Sequence, residues 1–148
     1  SGDLRRMALN PNYAAVSGRQ QATDRWAVTL PGEFNRREEQ SGLCFWRAGL
    51  TIWLTAYGTE DGLSIDDRLM RDKTNASPAA TDMSETREND VARLSYRLSE
   101  ARPDGVVVKG LYSFAHAANG QIMIAAYFDD DSELESARRV SDSITYTD

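Results

Sequence analysis

From Val91 to Phe128 apolar and polar side chains alternate with a period of two, the pattern of strands with one face turned inward. In Val91–Leu98, Ala92, Leu94, Tyr96 and Leu98 share a face opposite Arg93, Ser95 and Arg97. In Val106–Ala115, Val106, Val108, Tyr112 and Phe114 oppose Val107, Lys109, Leu111 and Ser113, and the first set is the more apolar. Gln121–Phe128 follows Asn119-Gly120, a dipeptide suited to the two positive-φ positions of a type I′ turn, so the flanking strands are expected to pair antiparallel. Ser132-Glu133-Leu134-Glu135 then reads as a capping box. The helix it opens carries Leu134, Ala137, Val140 and Ile144 as one apolar stripe, expected to face the sheet.

Earlier segments carry the same period. Arg25–Leu30 sets Trp26, Val28 and Leu30 against Ala27 and Thr29 and is expected to end at Pro31-Gly32, with a charged turn at Asn35–Glu39. Gly42–Arg47 and Leu50–Tyr57 read as two strands joined at Ala48-Gly49, with Leu50, Ile52, Leu54 and Ala56 on one face of the second and Thr51, Trp53, Thr55 and Tyr57 on the other. Ser64, with Asp67 three residues on, opens a short helix whose apolar side is Ile65, Leu69 and Met70. Residues 1–24 show neither period cleanly and read as a poorly ordered lead or a short edge element, and the polar stretch 73–90 as a long loop. The expected fold is α+β: one domain over 25–148, a single antiparallel sheet of about six strands packed with helices.

Composition narrows the class. A chain of 148 residues with 41% hydrophobic and 27% charged residues buries a core as one domain without staples. A net charge of −6 matches a phosphate backbone poorly, so nucleic acid is not an expected partner. No apolar run approaches the ~18 residues of a membrane span. The lone Cys44, in an apolar strand, reads as a buried small hydrophobe. A chain without internal disulfides is expected in the cytoplasm, or in the periplasm if a signal peptide has been removed.

Several of these features resemble the Mog/PsbP-like superfamily: the Trp26-to-Pro31 strand, the Leu50–Tyr57 strand followed by a glycine-containing turn and the Ser64 helix, the strand carrying Tyr96, and the closing helix ending Asp142-Ser143-Ile144. The long 73–90 loop departs from that pattern. The resemblance implies a Mog/PsbP-like sandwich and a family of binding modules without a shared enzyme activity. Its members include a small-GTPase-binding nuclear transport factor, a photosystem II accessory protein and bacterial chaperones of secreted toxins.

The candidate chemistry is sparse. His116, the single histidine, falls beside the Asn119-Gly120 turn, where a solvent-facing tip without an orienting partner is the expectation. Asp129-Asp130-Asp131 with Glu133 and Glu135 could take Ca²⁺ or Mg²⁺, but acids before a helix also meet the positive end of its dipole, and the EF-hand spacing is missing. Neither GxGxxG nor GxxxxGK[ST] occurs. No enzyme activity, cofactor or metal is therefore expected. The less apolar sheet face carries more information. It is expected to present Trp53, Tyr57, Arg93, Arg97, Lys109 and Tyr127, the aromatic and cationic types that dominate protein interfaces.

The expected function is that of a non-catalytic bacterial protein-binding module, a secretion-associated chaperone or adaptor, or a toxin-immunity protein. An immunity protein could also present Glu60-Asp61, Asp66-Asp67 and Asp129–Asp131 to a basic toxin. The alternative is a small hydrophobic-ligand or lipid carrier with a pocket between sheet and helix lined by Trp26, Trp46 and Trp53.

Overall fold

Every period-two segment forms a strand, and all of them join one antiparallel sheet. The computed structural model describes residues 9–59 and 62–148. In chain order the elements are β1 (Ala14–Gln21), β2 (Trp26–Glu39), β3 (Gly42–Arg47), β4 (Leu50–Tyr57), α1 (Ile65–Asn75), β5 (Thr81–Glu88), β6 (Val91–Ala101), β7 (Val107–Ala117), β8 (Gly120–Phe128), a 3-10 turn (Asp131–Glu133), α2 (Leu134–Asp142) and β9 (Thr145–Tyr146). The strand order is β1-β2-β3-β4-β8-β7-β6-β5, with β9 beside β2. Two four-stranded meanders thus meet at β4 and β8, and a helix follows each. One more expectation, the acidic pair Glu60-Asp61, lies outside the described residues.

The expected α+β sandwich of about six strands is overturned: among the described residues the sheet has nine strands, only two short helices accompany it, and the architecture is nearly all-β. Three unexpected strands, β1, β5 and the two-residue β9, account for the difference in number, and β2 runs further than expected. Ala14–Gln21 is an edge strand paired with β2. β2 does not stop at Pro31-Gly32; its pairing with β1 jumps from Leu30 to Phe34, so the proline sits in a bulge, where its missing N–H leaves the ladder intact. Asn35–Glu39, expected as a turn, pairs with β3. Finally, 73–90 is not one loop, since α1 continues to Asn75 and β5 is an edge strand with every residue exposed. No hydrophobic period could mark such a strand. Its backbone pairing with β6 and the ion pairs Arg87–Asp66 and Lys73–Glu85 to α1 hold it instead.

Two cores occupy opposite faces. Leu50, Ile52, Ile124, Ala126 and Leu111 lie side by side across β4, β8 and β7 and pack with Phe34, Phe45 and α2. The predicted α2 stripe faces this core, with Ala137 and Val140 fully buried and Ile144 1% exposed. The other face holds a smaller core of Leu69, Ala92 and Leu94 under α1, with Ile65 and Phe114 beside it. On α1, Met70 turns to solvent and Arg68 is buried in its stead, donating to the carbonyls of Ala117 and Gly120.

Local signals also shift. Ser64 caps α1, accepting from the Asp67 N–H at 3.1 Å. The cap before α2 is Asp130, whose carboxylate accepts from the Ser132 N–H at 2.8 Å; Glu133, at the head of the helix, forms an ion pair with Arg47. The β7–β8 hairpin turns at Ala118-Asn119, between the paired Ala117 and Gly120, without positive φ. Gly120 is required by crowding: a Cβ there would stand 2.9 Å from the Tyr146 ring and 3.1 Å from Trp26 Nε1. The two-residue turn with positive φ at both positions is Asn89-Asp90, between β5 and β6.

Candidate functional site

Cross-strand register decides which side chains share a surface. One ladder row runs Arg37–Cys44–Trp53–Ala125–Tyr112–Tyr96 across six strands. The next carries Asn35–Trp46–Thr51–Tyr127–Gly110–Leu98. Toward the other end of the strands, Tyr57–Gln121–His116–Ala92 form a row on the same face. α1 packs over the His116–Ala92 end of that last row, while Tyr57 stays 52% exposed and the rings of Trp46, Trp53, Tyr112 and Tyr127 stay partly accessible.

The six expected site residues therefore do not form one surface. Trp53, Tyr57 and Tyr127 lie on the α1 face, whereas Arg97 pairs across to Leu111, Arg93 to Ala115 and Lys109 to Phe128, all on the main-core face. The cations are held there by internal partners. Arg93 donates to the Ile144 carbonyl at 2.7 Å, and Arg97 and Lys109 both reach Asp131 Oδ1 at 3.1 Å. The acidic cluster is thus partly neutralised and partly spent on capping. Among the described residues no group of three or more His, Cys, Asp or Glu is placed to hold a metal ion.

The aromatic rows gain members the sequence reading did not place there. Tyr13 meets Trp46 edge-on at 5.0 Å, and the Arg37 guanidinium lies 5.2 Å from the Trp46 ring centre, 5.8 Å from Tyr13 and 5.9 Å from Trp53. Arg37 also pairs with Glu39 at 2.7 Å. Tyr112 stacks on Tyr96 and meets Tyr127 edge-on, their hydroxyls 3.3 Å apart. Burial, then the bond to Tyr127, pushes the Tyr112 phenol well above its usual range. Trp46, Trp53, Tyr112 and Tyr127 are each half-buried, and Tyr13 is exposed.

Beside this surface, under α1, lies a cavity of about 500 Å³ lined by Tyr57, Arg71, Asp72, Phe114, His116, Gln121 and Met123, among others. His116 is no solvent-facing tip. It is 2% exposed, and its Nε2 lies 2.5 Å from Oδ2 of Asp72, an orienting carboxylate 44 positions away. Two residues inward of the hairpin loop, the ring points onto the face that α1 covers. Gln121, directly opposite, donates to the Gly58 carbonyl at 2.6 Å and accepts from Arg71 at 3.0 Å. The three tryptophans do not share this cavity: Trp26 is packed in the main core against Tyr146, and Trp46 and Trp53 belong to the aromatic rows. Cys44 is buried as expected, and burial, opposed in part by Arg37, pushes its thiol up to about 11. Among the described residues, no helix is long and apolar enough to cross a membrane.

No protein-family model matches the chain, and no curated protein matches it. Among solved structures it is similar to a Bacteroides thetaiotaomicron VPI-5482 protein whose crystal structure was determined at 1.50 Å, with a TM-score of 0.65 and 10% sequence identity over 90% of this chain. The chain spans about half the length of that protein, 50% of it being covered, and at this identity the likeness is one of fold.

Proposed function

We propose that this chain is a non-catalytic protein-binding module that receives a partner segment on the open aromatic half of its α1 face. The observation that carries the reading is the gathering of Tyr13, Trp46, Trp53, Tyr112 and Tyr127 with Arg37 on one half-exposed surface. Tyrosine, tryptophan and arginine contribute most to binding at interfaces, because they bury much area and lose little side-chain freedom. A sheet face serving only stability would close such rings beneath a helix, as α1 does for Leu94 and α2 for Ile52. The resemblance to a superfamily of binding proteins supports the same reading, and a bacterial secretion chaperone or an immunity protein is the role it favours.

The test is capture from bacterial lysate with the wild type, a Trp46→Ala/Trp53→Ala variant and an Arg97→Ala variant, the last altering the opposite face. One dominant protein retained by wild type and Arg97→Ala but lost by the tryptophan variant supports the proposal. Equal retention by all three removes the aromatic face from the account.

A further inference from the structure

We propose that the cavity between α1 and the β4–β8–β7 strands binds a small, largely apolar molecule that carries a hydroxyl or N–H donor, with His116 as the accepting group. Three observations carry it, none of them shared with the aromatic rows. The cavity, at about 500 Å³, is of the size that small-molecule sites occupy. Phe114, Met123 and Tyr57 give it apolar walls, and Tyr57 is 52% exposed at its edge, available to close over an occupant. The third observation is chemical. Asp72 engages Nε2 of His116 and so fixes the tautomer with the hydrogen on that nitrogen, which in the neutral ring leaves Nδ1 as an acceptor. Nδ1 is buried and has no hydrogen-bond partner. Buried polar atoms are rarely left so, and each such atom calls for an explanation, of which a bound partner is one.

Gln121 lines the same cavity and stands directly opposite His116 in the ladder. Gln121 bridges the Gly58 carbonyl and the Arg71 guanidinium. A ligand that takes over one of those bonds brings its own donor to the imidazole. Recognition by a buried acceptor also gives selectivity: a ligand of equal shape without the donor leaves Nδ1 as unsatisfied as before.

Phenol and toluene are nearly isosteric probes that differ in the donor, and the single histidine gives an unambiguous reporter in a protein labelled with ¹⁵N-histidine. Phenol titrated into the full chain is expected to move the Nδ1 resonance and to bind about tenfold more tightly than toluene, the factor one net hydrogen bond confers. Met123→Trp, which fills the cavity from a half-buried position and leaves the Asp72–His116 pair untouched, is expected to abolish both titrations. Equal affinity for the two probes, phenol binding that leaves the His116 nitrogens unmoved, or no binding of either overturns the proposal. Unchanged binding to Met123→Trp would place the occupant elsewhere and overturn it as well. None of these outcomes bears on the aromatic surface, so the two proposals fail separately.

Discussion

His116 and Asp72 are joined at 2.5 Å, one from the end of β7 and the other from the last turns of α1, and both are buried. The pair fastens α1 to the sheet. Removing Asp72 leaves an imidazole buried without its acceptor, so Asp72→Ala is expected to lower stability by about 1–3 kcal/mol in urea unfolding. In a double-mutant cycle with His116→Leu the effects should be non-additive by about 0.5–3 kcal/mol. Strict additivity would mean that the contact contributes nothing to the folded state.

On the other side of the sheet Arg47 meets Glu133 at 2.8 Å, with side chains only 6% and 10% exposed, and the guanidinium lies 5.1 Å from the Phe34 ring centre. Breaking one half of a buried pair strands the other charge. Glu133→Ala should therefore cost about 3–5 kcal/mol, whereas Arg47→Met with Glu133→Leu should restore most of the loss, because neither charge is then desolvated. Thermal melts of the single and double variants decide this, and a double variant no better than Glu133→Ala would contradict it.

Two glycines make a matched contrast. At Gly120 a Cβ meets the Tyr146 ring at 2.9 Å and Trp26 behind it, while at Gly32, in the β2 bulge, a Cβ meets nothing within 4 Å and φ is ordinary. Gly120→Ala should displace the Tyr146 ring and cost about 1–3 kcal/mol, the range of overpacking in a closed site. Gly32→Ala should stay within about 0.5 kcal/mol of wild type. Comparable losses at both would show that crowding is not what selects glycine at 120.

The Cys44 thiol yields a pH prediction. Burial raises it from an ordinary 9.0 to about 11, so between those values the folded protein keeps a proton that the unfolded chain has lost. The unfolded state then binds fewer protons, and stability falls as pH rises through that window. The buried phenol of Tyr112 acts in the same direction at higher pH. Urea midpoints measured across the window should drop for wild type and drop less for Cys44→Ala. Burial also shields the sulfur from reagents, so a thiol reagent should label Cys44 only as the protein opens.

Strands whose faces differ in polarity were legible because the period of two survives any tertiary arrangement: β3 and β4 run over the expected residues, and the α2 stripe faces a core as its spacing requires. The β5 edge was not, since an exposed ladder is held by backbone bonds and ion pairs that leave no hydrophobic trace, and neither was Asn35–Glu39, whose buried Asn35 and half-buried arginines are polar residues that carry no apolar period. The candidate surface was half legible for a related reason. Alternation tells which residues of one strand share a face, but not which face of the next strand adjoins it. On β6 the polar face, Arg93 and Arg97, lies on the main-core side and the apolar face under α1, so polarity along one strand pointed the wrong way, and only the register separates Trp53, Tyr57 and Tyr127 from Arg93, Arg97 and Lys109.

By itself, then, the sequence determined the strands with unequal faces, the two helices and the buried state of Cys44, all properties of neighbours along the chain. The tertiary structure alone decided the nine-stranded sheet, the gathering of Tyr13 and Trp46 with Trp53, and the meeting of His116 with Asp72. Those depend on which distant backbones exchange hydrogen bonds and in what register, and no local period encodes a partner 44 residues away.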